Sequence, residues 1–309
     1  MVALVTPFRE GRVDYPTLET LYRIHARAGT DAVVVCGTTG ESATLTHSEH
    51  QELVRHAAGF FRSEFKGGGP ALVAGTGSNS THEAITLTES AAGCGVDAVL
   101  VITPYYNKPT PAGQLLHFKE VARAASETPV ILYNVPGRTG LKMTLDTVLR
   151  LAEVGNIVAI KEASGDLGLA SEIIRRAPQG FRLLSGEDNL TFPLMALGGS
   201  GVISVSANLV PEQLKRMVAL CLEGRFVEAR AVHHALFKLT EALFVETNPI
   251  PVKTGVNLMA GAPGPGGIPW PDVGEFRLPL CPMREESLAL LQREMAALGL
   301  PVGSEVGVS

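Results

Sequence analysis

Cysteine is scarce in this sequence of 309 residues, and its four cysteines lie far apart along the chain. No two of them form a CxxC pair, and residues 1–7 lack the positively charged region with which an export signal begins. Disulfide frameworks belong to secreted proteins, whereas cytosolic thiols stay reduced. We therefore expect four reduced thiols and a cytoplasmic location.

Basic residues are also fewer than acidic residues. The formal net charge is -5 and the isoelectric point lies near 5.9, without a cluster of lysine and arginine. This balance argues against binding to nucleic acid or to an anionic membrane surface. A long uncharged stretch, residues 190–211, is interrupted by Pro193, three glycines and Asn208. We predict a helix, a loop and a buried strand there rather than a membrane span.

Eight short apolar runs recur along the chain, and segments with the periodicity of amphipathic helices separate most of them. Strands that alternate with helices indicate a parallel sheet covered by helices. Eight such units predict an α/β fold of the (β/α)8 TIM barrel type; the alternative, a doubly wound sheet, usually has only about six strands. The predicted strands are residues 3–5, 32–35, 71–74, 98–102, 130–133, 157–160, 181–184 and 202–205.

The last part of the chain has a helical pattern. We predict a barrel catalytic domain over residues 1–224 and a C-terminal α-helical domain over residues 225–309. Because no linker separates the two, we expect the helical region to pack on the outside of the barrel. The predicted helices are the eighth barrel helix at 210–224 and three later segments at 226–243, 251–260 and 284–298.

One predicted strand, residues 157–160, is followed directly by Lys161. Three of its four residues are β-branched, which is typical of a buried strand. A buried ammonium is costly unless it is paired or loses its proton. A neutral amine in a dry pocket attacks carbonyl carbons and forms a Schiff base. The alternative is a strand-end lysine whose ammonium reaches water while its stem stays buried.

Polar side chains also follow the neighbouring strands. In a (β/α)8 barrel the active site lies at the C-terminal ends of the strands, so these side chains meet at one mouth. Tyr133 ends the fifth predicted strand and Arg138 follows it; a phenol passes protons, and an arginine holds a carboxylate through two hydrogen bonds. Glu187 and Asp188 follow the seventh strand, where the pair either acts as a general acid or forms a turn.

Motifs for metals and nucleotide cofactors are incomplete. His47 and His50 lie three residues apart on one predicted helix, but no carboxylate or cysteine is placed to complete a metal site. Residues 75–80 (GTGSNS) match GxGxxG only in part, and residues 37–42 (GTTGES) are not followed by the GK[ST] of a phosphate-binding loop. We expect no metal and no organic cofactor.

Seven motifs in a fixed order resemble the dihydrodipicolinate synthase/N-acetylneuraminate lyase family of class I aldolases over nearly the whole chain. The resemblance implies a (β/α)8 barrel that forms an imine between a lysine and pyruvate. The threonine pair of GTTGES and Arg138 favour the branch that condenses pyruvate with L-aspartate 4-semialdehyde in lysine (diaminopimelate) biosynthesis. The motifs are GTTGES (37–42), TPYYN (103–107), YNVPGRTG (133–140), IKEASG (160–165), LSGED (184–188), GVISV (201–205) and NPIPVK (248–253).

The same resemblance implies roles for individual residues. Lys161 would form the imine, and Tyr133 would donate and accept protons. Thr38 and Tyr106 would connect Tyr133 to solvent, with Tyr106 reaching in from a neighbouring subunit. The substrate-binding residues would be Thr39 and the backbone at Ile203, for the pyruvate carboxylate, Arg138, for the carboxylate of the semialdehyde, and Gly186, which leaves room beside the imine.

Family members that L-lysine inhibits bind it at a tight-dimer interface. The resemblance therefore implies feedback inhibition by L-lysine and a homo-oligomer, a tetramer built as a dimer of dimers. Two alternatives stay open: another pyruvate-dependent aldolase of the same family, and a non-catalytic barrel that binds pyruvate or lysine. The positions that match the lysine site are Ser42, Ala43, His47, His50, Asn79, Glu83 and Tyr105.

Overall fold

A computed structural model of the chain describes residues 1–303. Within that range, eight parallel strands form one sheet, in chain order from edge to edge. Each strand lies where the sequence predicts one. The strands are β1 (Val2–Ala3), β2 (Ala32–Val35), β3 (Ala71–Gly75), β4 (Ala98–Ile102), β5 (Val130–Asn134), β6 (Ile157–Glu162), β7 (Arg182–Ser185) and β8 (Gly201–Val202).

The sheet closes on itself. The N–H of Ala3 donates to the carbonyl oxygen of Ser204 at 2.8 Å, and the N–H of Ser204 donates to that of Met1 at 3.1 Å. These bonds join the end of β8 to β1. The predicted (β/α)8 barrel is confirmed. The C-terminal ends of all eight strands lie at the same end of the barrel, its mouth.

Alternate strand residues face opposite sides of the barrel wall and build two apolar layers. Val34 and Ile131 belong to the layer inside the barrel, whereas Val33 and Leu132 pack outward against the helices. Burying each such side chain stabilises the fold by about 1.5–3 kcal/mol. Because both faces are buried, the strands are continuous apolar runs in the sequence.

Helices follow the barrel strands, and six of the eight begin with a side-chain cap. Thr46 and Glu49 form a capping box, in which the Thr46 hydroxyl accepts from the N–H of Glu49 at 3.2 Å and the Glu49 carboxylate accepts from the N–H of Thr46 at 2.9 Å. The barrel helices are α1 (Tyr15–Arg27), α2 (His47–Phe60), α3 (Thr81–Cys94), α4 (Pro111–Ala124), α5 (Leu145–Ala152), α6 (Leu167–Arg176), α7 (Thr191–Ala196) and α8 (Pro211–Leu222).

Shorter elements complete the barrel. Phe8–Arg9 and Arg12–Val13 pair as a small antiparallel hairpin, and Pro136–Thr139 forms one helical turn after β5. In the part of the chain that the structure describes, no helix has both the length and the apolar character needed to cross a membrane.

The C-terminal helices are α9 (Phe226–Ala242), α10 (Ile250–Leu258) and α11 (Glu285–Ala297), close to the predicted positions. They share the outer apolar layer with the barrel helices. However, the C-terminal region does not stay entirely on the outside, because Asn248, in the connection between α9 and α10, lies at the barrel mouth. The domain boundary at residues 224 and 225 stays a prediction, and residues 304–309 of the predicted helical domain lie outside the described residues.

Candidate active site

A cavity of about 460 Å³ opens at the C-terminal ends of the barrel strands. Lys161, Tyr133, Thr38, Thr39 and Arg138 all line it. Its volume lies within the range of about 300–1,000 Å³ that is usual for sites of small molecules. Gly186 also lines it, so the structure brings six of the eight residues with expected catalytic or substrate-binding roles to one place.

Lys161 lies near the end of β6 and is only 5% exposed. It is paired in register with Tyr133 on β5, and its Nζ lies 4.2 Å from the centre of the Tyr133 ring. The lysine ion pairs within residues 1–303 involve other lysines, so no carboxylate there neutralises this one. The amine is therefore held inside the cavity rather than in bulk water.

Gly186 follows β7 and lies against the stem of Lys161. A Cβ atom at this position would be 2.6 Å from Cβ of Ala163 and 3.0 Å from Cε of Lys161. The N–H of Gly186 donates to the carbonyl oxygen of Glu162 at 2.7 Å, which fixes the backbone there. Any larger residue would push the lysine stem aside. Glycine at this position therefore leaves room for the reacting end of Lys161.

Tyr133 is buried at the end of β5, where its backbone is firmly held. Its carbonyl oxygen accepts hydrogen bonds from both the N–H and the hydroxyl of Thr103, each at 2.9 Å. The side chain lines the cavity together with Thr38, which is half-buried. Two hydroxyl groups therefore border the space beside the Lys161 amine, and each can donate or accept a proton.

The loop after β2, residues 37–42, carries the threonine pair. Nδ2 of Asn248 donates to Oγ1 of Thr39 at 3.0 Å, and the carbonyl oxygen of Asn248 accepts from Nη2 of Arg138 at 3.2 Å. Asn248 thus links the loop after β2 to the arginine after β5. The N–H groups of Thr38 and Thr39 donate to no acceptor among residues 1–303, which leaves both available to a ligand.

A buried ion pair fixes the far end of this loop. Nζ of Lys253 on α10 lies 2.7 Å from Oε1 of Glu41, and both side chains are completely buried. Burial lowers the pKa of Lys253, and the charge of Glu41 opposes that shift. Glu41 also has a φ of +54°, a left-handed conformation that is uncommon for a residue with a side chain.

Two acidic residues beside the site already accept hydrogen bonds from other residues of the chain. Glu162 accepts from Nδ2 of Asn134 at 2.9 Å and from the N–H of Ser164 at 2.7 Å. Asp188 is fully buried and accepts from the hydroxyl of Ser204 and from the N–H of Val205. Burial raises the pKa of both carboxyl groups. We therefore expect these carboxyl groups to stabilise the strand ends rather than to bind a ligand.

Glu187 differs from Glu162 and Asp188 because it lines the cavity. Burial raises the pKa of Glu187, and the nearby charges of Lys161 and Arg138 oppose that rise. Its backbone is held by Ser185, whose hydroxyl donates to the carbonyl oxygen of Glu187 at 2.7 Å. The backbone of Glu187 is thus fixed where this residue borders the cavity.

Two expected residues are not brought into this cavity. The N–H of Ile203 already donates to the carbonyl oxygen of Ser185 at 2.9 Å, and Ile203 does not line the cavity. Tyr106 is 88% exposed with a φ of +70° and also lies outside the lining. Binding of pyruvate by Ile203 and proton relay through Tyr106 both stay predictions.

The positions that match a lysine site lie at one end of the same cavity, with the exception of Asn79. Nε2 of His50 lies 2.7 Å from the carbonyl oxygen of Gly75 and donates to it, so this nitrogen has no lone pair for a metal. Asn79 instead accepts from Nδ2 of Asn107 at 2.8 Å through its carbonyl oxygen. The cavity lining includes Ser42, Ala43, His47, His50, Glu83 and Tyr105.

The sequence analysis assigned no role to Asn248, Lys253 or Glu41. Their motifs, NPIPVK (248–253) and GTTGES (37–42), were visible in the sequence. However, the ion pair joins residues 212 positions apart, and a single sequence contains no signal for such a contact.

Comparison with known proteins gives a consistent result. The sequence profile of the Dihydrodipicolinate synthetase family matches residues 1–298. The 4-hydroxy-tetrahydrodipicolinate synthase of Persephonella marina is 48% identical over 301 residues, which cover 97% of this chain and 98% of that protein.

Solved structures agree with the sequence match. The crystal structure of dihydrodipicolinate synthase from Aquifex aeolicus has a TM-score of 0.91 at 45% identity, and the match covers 98% of both chains. The structure of DHDPS from Cyanidioschyzon merolae with lysine bound has a TM-score of 0.89 at 44% identity, covering 97% of both chains. Sequence and fold are therefore similar over nearly the full length.

Proposed function

The chain belongs to the dihydrodipicolinate synthetase family, and on this premise we propose that it condenses pyruvate with L-aspartate 4-semialdehyde to 4-hydroxy-tetrahydrodipicolinate. It is an enzyme of the lyase class that acts in lysine and diaminopimelate biosynthesis. The observation that carries the proposal is the buried amine of Lys161, 4.2 Å from the ring centre of Tyr133 and in one cavity with Arg138.

The reaction begins when Nζ of Lys161 attacks the keto carbon of pyruvate. Loss of water gives a protonated imine, which draws electrons from the neighbouring methyl group. Loss of a methyl proton then gives an enamine, whose carbon attacks the aldehyde carbon of the semialdehyde while the aldehyde oxygen takes up a proton. The α-ammonium of the semialdehyde then gives up a proton, and its nitrogen attacks the imine carbon, which closes the ring. A proton passes from that nitrogen to Nζ, and Lys161 leaves as the free amine.

Tyr133 moves the protons in this sequence. Its side chain lies beside the Lys161 amine, where a phenol can protonate the departing hydroxyl and later the aldehyde oxygen. Thr38 borders the same space and relays protons to Tyr133. Tyr106 completes the relay from a neighbouring copy of the chain, which agrees with its exposure of 88%.

The two substrate carboxylates bind at different ends of the site. The hydroxyl of Thr39 and the unused N–H groups of Thr38 and Thr39 receive the pyruvate carboxylate. The backbone at Ile203 contributes to this end if its bond to Ser185 opens. Arg138, which Asn248 holds at the rim, receives the carboxylate of the semialdehyde through two parallel hydrogen bonds.

Borohydride trapping tests the imine directly. The enzyme is incubated with pyruvate, reduced, digested and examined by mass spectrometry, and we expect a pyruvate adduct on Lys161. The Lys161→Arg variant is the control and should carry none. If wild-type enzyme forms no adduct on Lys161, every imine mechanism for this chain is wrong, and a non-catalytic barrel becomes the better explanation.

A panel of aldehydes tests the second substrate. We expect L-aspartate 4-semialdehyde to give the highest kcat/KM, and Arg138→Ala to reduce that value more than it reduces the trapping of pyruvate. Faster condensation with a different aldehyde would assign the enzyme to another pyruvate-dependent reaction of the family.

Assembly and regulation follow from the same proposal. The enzyme works in the cytoplasm as a homotetramer, a dimer of dimers, and L-lysine inhibits it at the cavity end that contains His47, His50 and Glu83. The DHDPS from Cyanidioschyzon merolae, solved with lysine bound, supports such a site. Millimolar L-lysine should lower the initial rate with both substrates near KM, and an unchanged rate would contradict inhibition.

A further inference from the structure

One carboxylate in the cavity has no partner among residues 1–303. Three acidic residues line the cavity, counting within residues 1–303: Glu41, Glu83 and Glu187. Glu41 is bound by Lys253 at 2.7 Å, and Glu83 accepts from the hydroxyl of Ser78 at 2.7 Å. The Glu187 carboxylate forms neither a hydrogen bond nor an ion pair with any described residue. A half-buried carboxylate without a partner is costly, so its place in a substrate pocket needs a physical reason.

Hydrogen bonds hold the backbone of Glu187 in place, so this residue does not belong to a loose loop. Its N–H donates to the hydroxyl of Ser185 at 3.2 Å, and its carbonyl oxygen accepts from the hydroxyl of Thr191 at 3.1 Å. The residue directly follows Gly186, which contacts the stem of Lys161. Glu187 is therefore held beside the position where the second substrate meets the enamine.

The second substrate has a charge that no residue has yet been assigned to bind. L-aspartate 4-semialdehyde carries a carboxylate and an ammonium on the same carbon, and Arg138 accounts only for the carboxylate. An ammonium offers three N–H donors and is costly to bury without an acceptor. Glu187 lines the same cavity as Lys161 and Arg138, the two residues proposed to hold the reacting partners.

We infer that Glu187 binds the α-ammonium of L-aspartate 4-semialdehyde and makes the site specific for an aldehyde that is also an amino acid. The inference rests on the proposed function, because it concerns the second substrate of that reaction. Together, Arg138 and Glu187 hold the two charged groups on the α-carbon and thereby orient the aldehyde towards the enamine.

The test compares Glu187→Gln with wild-type enzyme in three measurements. The KM for L-aspartate 4-semialdehyde should rise about 10- to 100-fold, the loss expected for a hydrogen bond between charged groups. The inhibition constant of succinate semialdehyde, which has the aldehyde and the carboxylate but no ammonium, should change less than about threefold. Borohydride trapping of pyruvate on Lys161 should persist, which shows that the variant folds and forms the imine.

Two further variants sharpen the result. Glu187→Asp keeps the charge on a shorter stem and should restore part of the affinity for the semialdehyde. Glu127→Gln removes the same charge from an exposed position just before β5, at the opposite end of the barrel, and should leave all three measurements unchanged.

Two outcomes would overturn the inference while the proposed function survives. One is a KM for the semialdehyde that stays within about threefold of wild type in Glu187→Gln. The other is an equal loss of affinity for the semialdehyde and for succinate semialdehyde, which would assign Glu187 to a different part of the ligand. If wild-type enzyme condenses no semialdehyde at all, the proposed function is wrong, and this inference falls with it.

Discussion

Very little space separates Gly186 from Lys161. A methyl group added at Gly186 would lie 2.6 Å from Cβ of Ala163 and 3.0 Å from Cε of Lys161, closer than carbon atoms normally approach. The lysine stem must then move, and a shift of the reacting nitrogen by a fraction of an ångström is expensive for catalysis. We expect Gly186→Ala to reduce kcat about 100-fold or more, measured with both substrates at saturation.

The control for this substitution is Gly155→Ala, because a Cβ at Gly155 would meet no atom within 4 Å. It should retain activity close to that of wild type. Circular dichroism and thermal unfolding should show that Gly186→Ala still folds. Full activity in Gly186→Ala would mean that the cavity tolerates a displaced lysine stem, and the account of this glycine would be wrong.

At the scale of elements, the C-terminal helices support the catalytic loop through one ion pair. Lys253 on α10 and Glu41 at the end of the loop are both fully buried and lie 2.7 Å apart. Breaking such a pair by removing one partner costs about 3–5 kcal/mol, because the other charge stays buried without compensation. We expect Lys253→Met to lower the free energy of unfolding by that amount in urea titrations, and to lower kcat/KM because Thr38 and Thr39 lose their fixed positions.

A double variant that also removes the charge of Glu41 completes this test. In Lys253→Met/Glu41→Gln no uncompensated charge remains, so the double variant should recover a clear part of the lost stability. If the double variant is as unstable as the sum of the two single variants, the ion pair does not couple α10 to the loop.

A second contact between elements depends on pH. Two hydrogen bonds from Arg277, at 2.9 Å and 2.6 Å, lower the pKa of Glu49 from 4.5 to about 2. A carboxylate with a lowered pKa in the folded state stabilises the fold above its unfolded pKa. That stability is lost as the pH falls from about 4.5 towards 2.

We therefore expect Glu49→Gln to lower the free energy of unfolding by about 1–2 kcal/mol at neutral pH, a value reduced for the partial exposure of the pair. The difference from wild type should shrink as the pH falls below about 4.5. Denaturant titrations across this range measure it, with Glu127→Gln as a control for an exposed carboxylate. A difference that is the same at every pH would contradict the ionic origin of the stabilisation.

The elements themselves were largely predictable, whereas contacts between them were not. β6 is rich in β-branched residues and contains Lys161 one position before its last residue, so periodicity and composition suffice to predict the strand. The expected roles of Lys161 and Tyr133 rest on the barrel rule that strand ends form the site, together with the ordered motifs, and they stay predictions. The contact between Asn248 and Thr39 joins residues 209 positions apart, which local patterns do not encode.

At the scale of the whole molecule, the proposed role of Tyr106 involves a second copy of the chain. Tyr106 is 88% exposed, and its φ of +70° is uncommon for an aromatic residue. Such a conformation costs of the order of 1–3 kcal/mol and persists where function or packing requires it. We therefore predict that this side chain acts in catalysis only from a second copy of the chain, because Tyr106 does not line the cavity of its own chain.

Mixed dimers test this shared site. Lys161→Ala has no reacting amine but still offers Tyr106, whereas Tyr106→Phe keeps Lys161 but offers its partner no phenol. Each variant alone should be at least about 100-fold less active than wild type, the lower range for loss of a proton-transferring group. After equal amounts are unfolded together and refolded, half of the symmetric dimers are mixed, and each contains one complete site, so about a quarter of wild-type activity should return. Activity that stays at the level of the separate variants would show that Tyr106 does not act across the interface, and a fully active Tyr106→Phe would remove it from the mechanism altogether.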